Sequence, residues 1–133
     1  MKKVRGYIFS RQFMGERVPQ HIQNQVIRNF CYQNNFEYLL SAAEYAMENS
    51  FLILNEIVNK DQIIDGIGFY SLFQLPENNE ERVKLLKNVI KKNKFIFFSS
   101  ESIYFKNLID IKRINDIWLI KKNLQFSLKS FDY

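Results

Sequence analysis

Ile63-Ile64-Asp65-Gly66-Ile67-Gly68-Phe69-Tyr70, residues 63–70, is the most strand-like run of the chain. A strand with one wet face alternates polar and apolar residues, whereas a strand covered on both faces is apolar throughout. The run therefore predicts a central parallel strand over Asp65–Tyr70. Gly66 and Gly68 lie inside that strand and not ahead of a helix, so they are no dinucleotide fingerprint. They suit a close approach of backbone or helix.

The segments on either side repeat one alternation. Toward the amino end, Lys3–Ser10 reads as a first strand with Val4, Tyr7, Ile8 and Phe9 apolar. A polar loop, Arg11–Val18, follows it. Pro19 suits a first helical turn, where its missing N–H has no partner to lose. Ile22, Val26, Ile27 and Phe30 then recur at helical spacing, with Cys31 beside them, predicting a helix over about 19–34. Phe36–Ser41 is a second strand and Glu44–Asn49 a loop. Asn49 or Ser50 suits the cap of a helix carried by Leu52, Ile53, Glu56 and Ile57. Toward the carboxyl end come a loop, Leu72–Asn79, and a helix, Glu80–Lys92, whose acidic start and basic end match the helix dipole. Phe95–Phe98 is a fourth strand, Asn107–Leu124 a last helix and Phe126–Tyr133 a tail. The expected architecture is α/β and three-layered, a mainly parallel sheet of four to five strands with helices on both faces. It forms one domain over residues 1–125, followed by the 126–133 tail.

Composition narrows the function. With 133 residues, 47% hydrophobic and 25% charged, the chain is globular and neither disordered nor linker-like. One cysteine and one histidine, Cys31 and His21, exclude an intramolecular disulfide and a cysteine-built zinc site. The expectation is no metal and no cofactor. The net charge of +5 is spread along the chain with both signs interspersed, so no specific nucleic-acid partner is expected. No apolar run reaches the roughly 18 residues of a membrane span. The basic start is not followed by a signal-length apolar stretch. A cytoplasmic protein without membrane insertion is expected.

Ligands of parallel sheets bind beyond the carboxyl ends of the strands. That rule selects Ser10, Arg11, Arg17, Gln20, His21, Gln23 and Asn24 after the first strand. It selects Glu44 and Tyr45 after the second, Tyr70, Ser71 and Gln74 after the third, and Glu101 after the fourth. Arg11 suits a phosphate or carboxylate, or else an ion pair with Glu16, Glu44 or Glu101. Glu44 suits a general base or a ligand of sugar hydroxyls, or else pairing with Arg11. His21 suits an acid or base near neutral pH, or else a solvent-facing or capping role. Ser10 and Ser71 are candidate nucleophiles, although no spacing shows the activating base that a serine needs. Gln20, Gln23, Asn24 and Gln74 suit hydroxyl or amide recognition, or turn and cap chemistry. Trp118 reads as core or as a subunit interface.

Two resemblances add to this reading. Gly6-Tyr7, Ile22-Gln23, Glu44 six residues before Ser50, and Asp65–Pro76 together resemble the catalytic domain of serine recombinases, over about residues 4–105. That resemblance implies a resolvase-like fold. The family places an arginine two residues before its serine nucleophile, where this chain has Ile8 before Ser10, or else has the serine displaced by one position. The stretch Ser71-Leu72-Phe73-Gln74-Leu75-Pro76-Glu77 carries none of the arginines that the family's loop supplies. A phosphoryl group in transfer would lack its charge stabilisation. No appended DNA-binding domain is expected.

The stretches 5–11, 17–24, 41–47, 69–76 and 116–120 resemble the sporadic carbohydrate cluster family over nearly the whole chain. They include Arg17-Val18-Pro19-Gln20-His21 and Ser41-Ala42-Ala43-Glu44-Tyr45. That resemblance implies bacterial gene neighbourhoods for surface polysaccharide, such as lipopolysaccharide, O-antigen or capsule, and no particular reaction. The leading expectation is a protein binding a sugar phosphate or nucleotide sugar, with Arg11 and Arg17 holding the anion. Gln20, Glu44, Ser71 and Gln74 would recognise hydroxyls. An interaction module for pathway enzymes is the alternative, using the last helix around Trp118 and the tail aromatics Phe126, Phe131 and Tyr133. A degenerate resolvase-like DNA binder is the third. The apolar last helix also admits a homo-oligomer.

Overall fold

Strand β1 (Lys3–Ile8) lies inside a five-stranded sheet, with β2 (Glu37–Ala43) on one side and β3 (Gly66–Phe69) on the other. The computed structural model describes the backbone of residues 1–131 and the side chains of residues 1–125. Strand β4 (Phe95–Phe98) pairs parallel to β3, and β5 (Ile103–Phe105) closes that edge antiparallel, giving the order β2-β1-β3-β4-β5. Three helices connect the strands, α1 (Gln20–Gln33), α2 (Leu52–Lys60) and α3 (Asn79–Lys91), and α4 (Ile109–Phe131) follows β5. The fold is the expected mainly parallel α/β sheet. The run 63–70 is indeed central, with all four residues of β3 buried.

Period-two alternation sorts the strand residues between two faces. Val4, Ile8, Phe95 and Phe97 meet Ile27 and Cys31 of α1 on one face. Tyr7, Ile67, Phe69, Ile96 and Phe98 meet α2, α3 and α4 on the other. On the α1 face the glycines are obligatory at one point above all. A Cβ on Gly68 would lie 2.5 Å from Phe97 Cζ and 2.8 Å from Ile27 Cγ2. The missing side chain lets one helix and one aromatic layer close the face.

The ends of α1 and α3 follow one device. Asn35 and Asn93 are left-handed at φ 58° and 59°, and Phe36 and Lys94 return N–H bonds to Cys31 and Val89. Asparagine tolerates that conformation and so terminates each helix.

Several boundaries depart from expectation. Pro19 is the residue before α1 and not within its first turn. Neither Asn49 nor Ser50 caps α2. Phe51 holds the cap position without a side-chain bond, and the first-turn amides of Ile53 and Leu54, which have no partner within the helix, go to Glu44 instead. Strand β5 is three residues long, too short to register as a strand by pattern. The last helix starts at Ile109 and continues to Phe131, through most of the segment expected as a tail. No Gly or Pro follows Pro76 to stop it. The side chains of Phe126, Phe131 and Tyr133 lie outside the described residues. Among the described residues no helix is long and apolar enough to cross a membrane.

Candidate functional site

The strand order reverses at β1, so the loops after β1 and β3 leave in opposite directions and open a crevice between them. The β1 loop is folded into a two-residue hairpin. Phe13 and Glu16 exchange both backbone bonds, at 2.9 and 3.0 Å, while Met14 and Gly15 are left-handed at φ 50° and 76°. That is the geometry of a type I′ turn. The Met14 carbonyl accepts from Gln125 Nε2 of α4 at 3.0 Å, which ties the hairpin to the last helix.

Most of the predicted polar residues hold these loops to one another. Gln23 is fully buried on α1. Its Oε1 accepts from Phe9 N–H at 2.9 Å, and its Nε2 donates to the Phe9 and Val18 carbonyls, each at 2.8 Å. Gln74, also fully buried, donates from Nε2 to the same Oε1 at 3.0 Å. Ser71 caps the short 3-10 turn Leu72–Gln74. Its hydroxyl accepts from Phe73 N–H and donates to Glu101 Oε2 at 2.8 Å, and Glu101 Oε1 takes Leu72 N–H at 2.8 Å. Burial pushes the Glu101 carboxyl above its ordinary value against these stabilising bonds.

Glu44 is 4% exposed, and both its oxygens are occupied. Oε1 accepts from Tyr7 O–H at 2.9 Å and Leu54 N–H at 3.2 Å. Oε2 accepts from Tyr45 N–H, Ser50 O–H and Ile53 N–H at 3.0, 3.2 and 3.2 Å. A carboxylate thus serves as the amino-terminal cap of α2, where the helix dipole favours negative charge. Burial, then the adjacent Glu44 charge, raises the Tyr7 phenol well above its ordinary range. These contacts give Glu44, Ser71, Gln23 and Gln74 partners within the protein, which for the two glutamines is the turn-and-cap alternative. They anchor loops, and none faces the crevice with a free polar atom. Asn24 is likewise engaged, its Oδ1 accepting from the Tyr38 hydroxyl.

The remaining residues divide. Arg11 is half-buried, donates from Nη1 to the Tyr45 and Met47 carbonyls at 3.1 and 3.2 Å, and lies 4.0 Å over the Phe9 ring. It forms no ion pair with Glu16, Glu44 or Glu101. It lines a cavity of about 390 Å³ with Gln12, Glu48, Asn49, Phe51 and Glu77 among its neighbours. Ser10, Arg17 and His21 are exposed, Gln20 and Tyr70 half-buried, and Tyr45 52% exposed, and none of them lines that cavity. Glu48, Phe51 and Glu77 do line it, outside the residues that the strand-end rule selects. Proximity of Pro76 to the strand end was the available signal for Glu77. Among the described residues no three His, Cys, Asp or Glu side chains converge to hold a metal. The cavity's charged groups are one guanidinium and two carboxylates, which suit hydroxyl donors and acceptors better than a phosphate.

No family profile matches the chain, and no curated protein matches it in sequence. Solved structures do. The N-terminal catalytic domain of TP901-1 integrase is similar over 99% of this chain and all of its own length, at TM-score 0.63 and 16% identity. A resolvase family site-specific recombinase from Streptococcus pneumoniae covers 98% of this chain and 95% of its own, at TM-score 0.66 and 12% identity. The chain therefore has the resolvase-like α/β fold.

Proposed function

We propose that this resolvase-like domain binds the sugar portion of a sugar phosphate or nucleotide sugar in the cavity among the loops after β1, β2 and β3. Its setting is bacterial surface-polysaccharide biosynthesis. The observation that supports the reading is the cavity holding Arg11, Gln12, Glu48, Asn49 and Glu77 against the rings of Phe51 and Phe73. Carboxylates accept from sugar hydroxyls, amides both donate and accept, and an aromatic wall suits the apolar face of a sugar ring. The setting rests on the carbohydrate-cluster resemblance of the stretches quoted above. Arg11 orients the ligand from its backbone tether. Glu44 and Ser71 hold the loops and leave acid–base work, where any occurs, to Glu48 and Glu77.

The test is thermal stabilisation by a panel of nucleotide sugars, sugar phosphates and short duplex DNA. A ligand at about 100 times its dissociation constant adds roughly 2.7 kcal/mol. A sugar hit that is lost in Arg11→Ala and in Glu48→Gln supports the site. A panel without a sugar hit, or a hit indifferent to both substitutions, overturns it. Duplex DNA is expected to bind only weakly and in a salt-dependent way.

A second reading draws on α4. Leu119, Ile120 and Leu124 are 59%, 60% and 55% exposed, which favours an interaction surface for a pathway enzyme or a second copy. Trp118 is not that surface, being 3% exposed with its indole N–H donating to the Leu72 carbonyl at 3.2 Å. The discriminating variant is Leu119→Ser with Leu124→Ser. Unchanged sedimentation and unchanged co-purification with neighbouring gene products would remove this reading.

A further inference from the structure

We propose a second ligand site, for a phosphate-type oxyanion, in the groove between α3 and α4, with Arg82 at its base. Arg82 is 4% exposed, yet every acceptor it meets is neutral. Nε donates to Asn115 Oδ1 at 2.9 Å, Nη1 to the Pro76 and Glu77 carbonyls at 3.0 Å each, and Nη2 to Asn79 Oδ1 at 2.9 Å. Among the described residues no carboxylate lies within ion-pair distance of it. One Nη2 hydrogen is left for a ligand, since a guanidinium carries five.

A buried charge held only by neutral dipoles is an unfavourable arrangement unless a counter-charge arrives. Burial accordingly lowers the Arg82 pKa. The planar guanidinium lies over the Trp118 ring, 4.8 Å from its centroid, which adds a cation–π contact on one face. Arg82 also lines the groove, whose volume is about 990 Å³. The other charged groups lining it are Lys87, Lys112, Lys122, Glu77 and Asp116. Lys112 is paired with Asp116 at 3.2 Å, so Lys87 and Lys122 are the cations left over, against Glu77 alone. A guanidinium fixed by four hydrogen bonds, in a groove shared with two exposed ammonium groups, is the chemistry of phosphate recognition, with geometry from the arginine and charge from the lysines. Glu77 also lines the crevice at β1 and β3, so the two sites adjoin. The anion site does not depend on the sugar reading.

Pyrophosphate is the probe, titrated against a chloride control of equal ionic strength. Two readouts are used, the thermal midpoint and the arginine Nε–H signals in a nitrogen-15 correlation spectrum. The expected result is a saturable upward shift with pyrophosphate, absent with chloride, and movement of the Arg82 Nε–H signal. Lys87→Gln with Lys122→Gln, both on exposed positions, should weaken binding at least about tenfold while leaving the fold intact. Arg11→Ala should leave pyrophosphate binding unchanged, which separates this site from the crevice. An equal shift with chloride, an unmoved Arg82 signal, or full affinity in the double lysine variant would each overturn the proposal.

Discussion

Gln74 Nε2 donates to Gln23 Oε1 at 3.0 Å, joining two fully buried amides that lie 51 positions apart. Through this bond the loop after β3 is fastened to α1, and through the other bonds of Gln23 to the end of β1. Substituting Gln23→Leu roughly keeps the volume but removes the Gln23 partner of Phe9 N–H, of the Phe9 and Val18 carbonyls and of Gln74 Nε2. The expected loss is about 3 kcal/mol of unfolding free energy. A lower urea midpoint at unchanged slope would show it. A variant as stable as the parent would mean that water replaces the amide.

Glu44→Gln tests the cap of α2. The amide oxygen can still serve Tyr7 and Leu54, but an NH2 group then faces three other donors, Tyr45 N–H, Ser50 O–H and Ile53 N–H. Destabilisation by about 2–3 kcal/mol is expected. Circular dichroism melts would report it. A neutral outcome would return Glu44 to the list of groups free for chemistry.

Glu101 sets a sign for pH dependence. Burial raises its folded pKa above the ordinary 4.5, so the folded chain holds this proton to higher pH than the unfolded chain. Its contribution is complete below 4.5 and is lost as pH rises from there through the raised folded value. Glu101→Gln should therefore flatten the fall of stability with pH in that window. Unfolding curves of both proteins across mildly acidic pH give the comparison, and parallel profiles would count against the assignment.

Cys31 should be inert while the chain is folded. It is 1% exposed in the α1 face of the core, and burial pushes its thiol up to about 12. Reaction with a disulfide reagent at mildly alkaline pH should be at least about a hundredfold slower than in urea. Rapid labelling of the native protein would show that α1 lifts from the sheet.

The alternation of segments was legible because it depends on neighbours in sequence. Strand β4 is apolar at all of its positions, and the apolar spacing of α1 and α3 marks the faces they bury. Strand β5 was not legible, since Ile103–Phe105 is a strand only by pairing with β4. The extent of α4 escaped for a related reason. A run without Gly or Pro continues as helix, although its polar and apolar residues alternate without a clean stripe.

The site divides in the same way. Residue types beyond the carboxyl ends of the strands follow from the order of elements, and the sequence by itself determined which loops would carry Arg11, Glu44, Ser71 and Gln74. Whether each polar atom faces a ligand or a neighbouring loop was decided only by the tertiary structure. The partner of Gln74 is 51 residues away, that of Ser71 is Glu101, 30 away, and that of Arg82 is Asn115, 33 away. A buried polar group must find a partner, but nothing local in the chain states which one, because hydrogen bonds of this length are made only after the sheet has brought the loops together.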